Sequence, residues 1–308
     1  MSPFEFWDQV NFMKAGIVYA DMINTVSVQY AHEIQSTDEF GHGLEEVLRS
    51  RQDDLFGIVN GIDYDVWNPA ADPLIEAPYD HEDLSGKKKN KKALMKAFGL
   101  PSSSKDMPLI GMISRLVPQK GFDILTECID EIAKMNMQLV ILGTGMPEYH
   151  SLLKKAAKKY PDKIAVKLTF DNQLAHLIEA GADMFLMPSR YEPCGLNQLY
   201  SMRYGTLPVV RGTGGLVDTV QSYTEEEEEE GTGFVFSDYT PEAIVDTLRW
   251  AIDIYSRKKV WNAMVQRAMV ENFSWTTAAR IYVALYERAV KKKKYSHSNG
   301  HSNGNGKL

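Results

Sequence analysis

Short, wholly apolar runs alternate with longer stretches in which apolar residues recur every three to four positions, and this alternation organises the chain from Leu94 to Val270. The runs predict strands over 108–113, 138–142, 164–168, 184–187, 207–210 and 234–236. The stretches between and after them predict helices over 122–134, 148–159, 173–180, 196–204, from about Leu216, and over 241–255, 258–270 and 275–290, the last capped by Ser274. Strands alternating with helices of this length imply right-handed crossovers and a parallel sheet covered on both faces. Before Leu94 the pattern is shorter in range. Mixed helical spacing covers 4–20, a strand is expected over 23–28, helical turns at 30–34 and 44–48 flank Gly41-His42-Gly43, and a strand over 55–59 ends in the turn pair Asn60-Gly61. Residues 62–88 carry Asp, Pro and Ala without a period and read as an ordered surface connector anchored by Trp67. The lysine-rich run 87–92 reads as a solvated helix start.

One stretch, 187–220, concentrates the chemistry. The polar cluster Pro188, Ser189, Arg190, Tyr191 and Glu192 follows the strand at 184–187, on the carboxyl side where open α/β sheets bind ligands. Pro193-Cys194-Gly195 then enters one helix, and Gly212-Thr213-Gly214-Gly215 enters the next. Glycine is the default turn residue. Two such entries in succession, each able to aim helix N–H groups at one crevice, with Arg190 and Glu192 beside the first, point instead to a phosphate-bearing ligand such as a nucleotide sugar.

Composition narrows the classes. With 44% hydrophobic and 24% charged residues in 308, the chain can bury a core without help. A formal charge of −7 argues against general nucleic-acid or anionic-membrane partners. No apolar run reaches the roughly 18 residues of a membrane span, and the start lacks a secretory pattern, so a soluble protein is expected. Cys128 and Cys194 form no disulfide framework and fit a reducing compartment; Cys194 reads as either a reactive or a packed thiol. The six glutamates of 225–230 read as a solvated acidic loop, and 291–308 as a disordered tail.

The run SRYEPCGLNQLYSMRYGTLPVVRGTGGLVDTV resembles the signature of the bacterial glycogen synthase and starch synthase family, and VNGID with Trp67, SRLVPQKG, LGTG and FSW follow in the family's order over roughly residues 5–290. The resemblance implies the carboxyl-terminal half of a GT-B glycosyltransferase: a doubly wound, Rossmann-like α/β domain over 58–291, a remnant of the amino-terminal domain over 1–57 onto which the last helix packs back, and a disordered tail over 292–308. It implies transfer of glucose from ADP-glucose to the non-reducing end of an α-1,4-glucan with retention, in the cytoplasm, or in the plastid of a plant. A neutral polyglucan suits the charge balance.

The resemblance also assigns roles. Arg115 and Lys120, otherwise two bases on a loop, would contact the donor phosphates, and Glu192 would hydrogen-bond the glucosyl hydroxyls. The loop carrying Ser114 belongs to the donor site, and Cys194, Gly195 and Leu196 would help Glu192 through their backbone. Gly143, Thr144 and Gly145 are either a simple turn or an adenosine contact; Phe170 either stacks on the base or caps the core. Gly214, Gly215, Leu216 and Thr219 would offer N–H and hydroxyl donors to the distal phosphate, while Asn60 and Gly61 resemble a turn at the cleft. No metal or other cofactor is expected, since no Asp-x-Asp pair accompanies the glycine loops. Two departures stand out. The second glutamate of the wider superfamily's Glu-x7-Glu pattern is Tyr200 here, and the family's Lys-x-Gly-Gly loop does not occur. Exposed apolar surface near the start is therefore expected, and with it a separate amino-terminal half, self-association or marginal stability; the chain would carry the donor-binding half and could need that partner for activity. The alternative is a non-catalytic module that binds ADP, ADP-glucose or glucan.

Overall fold

The computed structural model describes residues 2–101, 107–226 and 230–301, and the chain divides into two compact units, one comprising the chain through Gly61 and from Phe273 onward, the other Ile62–Asn272.

In the first unit, strands β1 (Glu5–Phe6) and β2 (Gln9–Val10) pair antiparallel around Trp7 and Asp8, both left-handed with φ of 51° and 59°. That is the backbone of a tight two-residue hairpin. The helix expected over 4–20 consequently begins only at α1 (Phe12–Tyr19), where the Asn11 side chain accepts from the Lys14 N–H at 3.0 Å and stops the strand from continuing. Likewise β3 (Ile23–Thr25) is shorter than expected, because the Ser27 hydroxyl accepts from the Tyr30 N–H at 2.9 Å and starts α2 (Val28–Glu33). Helices α3 (Asp38–Gly41) and α4 (Glu45–Arg49) follow, then β4 (Leu55–Gly57), parallel to β3. Ala31, Ile34, Leu44, Leu48 and Leu55 make a small core. Trp7, Phe12, Met13 and Tyr19 are instead 66–78% exposed, the apolar surface anticipated near the start.

The second unit opens with 62–84, which is less superficial than its composition suggests. Asp72 is buried, accepting from the Tyr204 hydroxyl at 2.6 Å and lying 2.7 Å from His176 Nδ1, while the Tyr79 hydroxyl donates to the Tyr204 carbonyl at 2.7 Å. Trp67 does anchor it, its ring sandwiched between His176 (3.9 Å) and Tyr200 (3.8 Å). Helix α5 (Ser85–Phe98) then corrects the reading of the lysine run. Lys87 Nζ donates to the Tyr204 carbonyl at 2.9 Å and the Thr206 hydroxyl at 2.7 Å, and Lys91 pairs with Asp183 at 2.6 Å. One face of α5 is thus a buried polar seam, with Asn90 fully buried and bonded to the Glu76 N–H and the Ala77 carbonyl. Burial lowers the Lys87 ammonium to about 7, against the pull of Asp183 and Glu179.

Beyond α5 the strands are β5 (Leu109–Ile113), β6 (Gln138–Leu142), β7 (Ile164–Lys167), β8 (Met184–Met187), β9 (Leu207–Arg211) and β10 (Phe234–Phe236). The helices are α6 (Phe122–Lys134), α7 (Pro147–Lys159), α8 (Asn172–Gly181), α9 (Asn197–Arg203), α10 (Gly215–Thr219), α11 (Pro241–Ser256) and α12 (Lys258–Val270). All six strands pair parallel in the order β10-β9-β8-β5-β6-β7, so the expected doubly wound α/β architecture is present. The chain winds outward from β5 to β7, then crosses back to β8 on the other side of β5. That reversal opens a crevice beyond the carboxyl ends of β5 and β8. Met184, Phe185 and Leu186 in β8, like Leu109 and Ile110 in β5, are at most 1% exposed. Burying each such side chain contributes roughly 1.5–3 kcal/mol. Where the acidic run is described, Glu225 pairs with Arg257 at 2.9 Å and Glu230 accepts from Gln221 at 2.8 Å; residues 227–229 lie outside the described residues.

The chain returns to the first unit in α13 (Trp275–His301), whose start is held by a 3.3 Å bond from the Thr277 N–H to the Ser274 hydroxyl. The expected tail is therefore helical through His301, and 302–308 lie outside the described residues. The extension has a local cause. Arg288 donates to the Asp53 carbonyl at 3.4 Å, and Lys292 one turn on pairs with Asp54, holding that carboxyl below its ordinary value.

Candidate functional site

Crossing at the switch between β5 and β8 brings two loops together. After β5, Ser114, Arg115 and Leu116 lead into a tight 3-10 turn, Pro118–Lys120, and Gly121 with φ of 78° starts α6. After β8, the chain runs through Ser189 and Glu192 to Gly195 and α9. The loops are tied by the Arg190 N–H donating to the Gln119 carbonyl at 2.9 Å. Between them lies a cavity of about 140 Å³ lined by Ser114, Arg115, Lys120, Ser189, Glu192 and Asn197, among others.

Its centre is an ion pair. Lys120 Nζ lies 2.5 Å from Glu192 Oε2, which also accepts from the Ser189 hydroxyl at 2.9 Å, and Glu192 is only 6% exposed. Such a carboxylate needs both partners, because a buried charge left unpaired is costly by several kcal/mol. Arg115 is exposed at the rim, steadied by Gln119 Oε1 at 3.1 Å. Asn197 ties α9 to β5 by donating to the Ile113 carbonyl at 2.8 Å. Gln119 and Asn197 carry no role in the sequence reading, and Ser189 enters it only as a member of the polar cluster after the strand at 184–187. Their signal was position alone, each lying within a run that already held Arg115, Lys120 or Glu192.

The second glycine entry supports this loop from below. Gly214 has φ of 47°, and a Cβ there would stand 2.0 Å from the Glu192 carbonyl oxygen. That backbone contact sets the height of the Glu192 loop. It also redirects donors expected to face a ligand. The Gly215 N–H donates to the Glu192 carbonyl at 3.0 Å, and the Leu216 N–H to the Thr213 carbonyl at 3.1 Å. The buried Thr219 hydroxyl donates to the Gly215 carbonyl at 2.6 Å while accepting from Gln198 Nε2 at 3.1 Å. Gly215, Leu216 and Thr219 thus make these hydrogen bonds within the fold. Cys194 is a buried, packed thiol, 7% exposed, with its carbonyl 2.0 Å from where a Gly215 Cβ would be. Gly195 and Leu196 do line the cavity.

Elsewhere on the carboxyl side, the Gly143-Thr144-Gly145 loop is shaped by a residue the sequence did not single out. The Gly145 N–H donates to His150 Nε2 at 3.1 Å, with Thr144 Oγ1 3.4 Å from the same nitrogen. A Cβ at Gly143 would lie 1.9 Å from the Ser114 carbonyl, so this glycine lets the loop after β6 close on the loop after β5. Phe170 is 86% exposed, which excludes the core-capping reading of its ring. Asn60 and Gly61 close the first unit, where a Gly61 Cβ would meet the Trp275 backbone at 2.5 Å, a packing reason for glycine. Tyr200, in place of a second glutamate, stacks on Trp67 and is half-buried. Among the described residues no three His, Cys, Asp or Glu side chains converge as metal ligands, and no helix is long and apolar enough to cross a membrane.

Residues 95–268 match the family model described as "Glycosyl transferases group 1", and residues 1–50 match "Starch synthase catalytic domain". A glycogen synthase of Fervidobacterium nodosum is 50% identical over 288 residues, covering 94% of this chain and 59% of that protein. One from Koribacter versatilis is 46% identical over 289 residues, with the same coverage. The chain thus spans 59% of the length of these curated relatives. Among solved structures, the catalytic domain of starch synthase IV from Arabidopsis thaliana, bound to ADP and acarbose, superposes with a TM-score of 0.87 at 36% identity, over 94% of this chain and 60% of that one. Sucrose-phosphate synthase from Thermosynechococcus elongatus, at 18% identity, 93% and 64% coverage and a TM-score of 0.61, shares the fold.

Proposed function

The chain belongs to the group 1 glycosyl transferases, and from that premise we propose that its second unit holds the donor site of a glucosyltransferase that moves glucose from ADP-glucose to the non-reducing end of an α-1,4-glucan, with retention of configuration. The observation that carries the reading is the Lys120–Glu192–Ser189 cluster at the carboxyl-side switch point of the sheet. The glycogen synthase relatives and the ADP-bound starch synthase structure support the choice of donor and acceptor.

The residues divide the work by charge. A nucleoside diphosphate gains negative charge as it leaves the sugar, so fixed cations stabilise the transition state more than the bound donor. Lys120 is such a cation, already oriented by Glu192, and Arg115 adds a planar fork at the rim. Glu192 turns its remaining acceptor capacity to the glucosyl hydroxyls, while Gly195 and Leu196 shape the cavity around the sugar. Phe170 offers its exposed ring to the adenine, and the Gly143–Gly145 loop borders the nucleoside. The leaving phosphate itself takes the acceptor proton on the same face of the sugar, so the protein positions and neutralises without a metal ion. The acceptor side comes from a further amino-terminal half that carries the Lys-x-Gly-Gly loop, or from a second copy of this chain whose residues replace that loop, and the setting is cytoplasmic.

Calorimetric titration with ADP tests the phosphate assignment. Arg115→Ala and Lys120→Ala are each expected to weaken binding by about 1–3 kcal/mol, the contribution of a charge-assisted contact. Unchanged affinity in both variants sinks it.

A further inference from the structure

A second, larger cavity of about 1270 Å³ lies at the other end of the same two central strands. The candidate donor site opens beyond Ile113 and Met187, the last residues of β5 and β8. The larger cavity is lined instead by Asp183, which immediately precedes β8 and accepts from the Leu109 N–H at the first residue of β5, at 2.7 Å. At about 3.3 Å per strand residue, roughly 15 Å of sheet separates the two.

Its lining is basic in a chain whose formal charge is −7. Lys87, Lys88, Lys91, Lys92 and Lys96 of α5 and Lys258, the first residue of α12, all line it, and among the described residues Asp183 is the one carboxylate in its lining. Two of these lysines are committed to the fold: Lys91 to Asp183 and the Met107 carbonyl, Lys87 to Tyr204 and Thr206. Lys88, Lys92 and Lys96 are different. They recur every fourth residue on α5, are exposed, and among the described residues form no ion pair with any carboxylate. Like charges four apart on a helix repel. A row of three, running about 12 Å along the axis, is stabilised by a ligand of several negative charges. Ammonium groups are compact point charges with three donors each and suit dispersed phosphate oxygens better than a planar carboxylate. Leu84, Met95, Leu100 and Val265 add an apolar lining, termed the floor of the cavity.

We propose that this cavity binds a multiply phosphorylated small molecule through Lys88, Lys92 and Lys96, at a site separate from the donor site. Its phosphates lie along the α5 rim, and any organic part lies on the apolar floor. The volume is at the large end of small-molecule sites. Nothing in the proposal depends on the glucosyltransferase reading.

The test is calorimetric, on the whole chain, and is repeated on the chain carrying Arg115→Ala and Lys120→Ala so that phosphate binding at the donor site is told apart without adding a competing phosphate ligand. Inorganic tripolyphosphate is expected to bind, and the triple variant Lys88→Gln, Lys92→Gln, Lys96→Gln to bind at least about tenfold more weakly, since three charge-assisted contacts are lost. Glutamine keeps α5 helical, and circular dichroism confirms it. A control variant, Lys154→Gln, Lys155→Gln, Lys158→Gln, removes three exposed lysines of α7 and is expected to leave affinity unchanged. Absence of binding by the native chain, or equal weakening in both triple variants, overturns the proposal. A parallel titration with ATP separates the two sources of the phosphates: tighter binding than tripolyphosphate assigns a nucleotide seated on the floor, and equal binding assigns the phosphate chain alone.

Discussion

At Glu192, one carboxylate answers to three neighbours at once: the Lys120 ammonium, the Ser189 hydroxyl and, through its own backbone carbonyl, the Gly215 N–H. Replacing it by glutamine keeps the shape and removes the charge. Assayed with a separately made Lys-x-Gly-Gly half of a relative present, Glu192→Gln is expected to depress glucosyl transfer by far more than it weakens ADP binding, because the side chain is assigned to the sugar; equal loss in transfer rate and ADP affinity would make Glu192 structural. Gly214 makes the complementary case, a residue whose lack of a side chain matters. Its positive φ and the 2.0 Å approach of the Glu192 carbonyl leave no room for a methyl group. Gly214→Ala is expected to cost more than about 1 kcal/mol of stability, read as a lowered midpoint in urea, and to weaken ADP binding as the Glu192 loop lifts. A midpoint equal to that of the native chain would show that the loop relaxes freely.

Among the elements, α5 and α8 share a polar seam that no local pattern announces. Glu179 of α8 is fully buried, accepts one bond from the Ser201 hydroxyl at 2.9 Å, and leaves Oε1 without a hydrogen-bond partner among the described residues. Burial pushes its carboxyl up to about 8, partly offset by Ser201 and by Lys87. The folded protein therefore retains a proton that the unfolded chain releases near its ordinary value. The stability this contributes is complete below about pH 4.5 and falls away as pH rises toward 8. From pH 5 to 6, below the value of about 7 at which Lys87 is half deprotonated, Glu179 is expected to lower stability by about 1 kcal/mol. Glu179→Gln should remove that slope. Urea melts at the two pH values check it, and identical slopes in native and variant chains would assign the titration elsewhere.

For the whole molecule, the governing fact is that the chain spans 59% of the length of its glycogen synthase relatives and contains a six-stranded parallel sheet. Transfer of labelled glucose from ADP-glucose to glycogen is expected to be undetectable with this chain alone and to appear when a separately made Lys-x-Gly-Gly half of a relative is added. Absence of transfer in both cases, with ADP still bound, would move the reading to a binding module. The exposed Trp7, Phe12, Met13 and Tyr19 are apolar surface of the kind that a further chain covers.

Much of this was legible in the residues themselves. Helices α6 and α12 and strands β6, β8 and β10 stand where their periodicity places them, because a buried strand and an amphipathic helix each write a local period that no later packing reverses. The stretch 187–220 was legible as two glycine-bearing loop-to-helix entries beyond the carboxyl end of a buried strand, whereas the roles given to Arg115, Lys120 and Glu192 rest on the family resemblance. Tertiary structure decided what distance along the chain conceals. It turned Lys87 and Lys91 inward, set Lys120 against Glu192 across seventy-two residues, and diverted the Thr219 hydroxyl to the fold. It also carried α13 past its apolar period by pairing Lys292 with Asp54. A polar side chain is equally at home in water or against a matched partner, so its sequence neighbours cannot say which; only the fold brings the partner near.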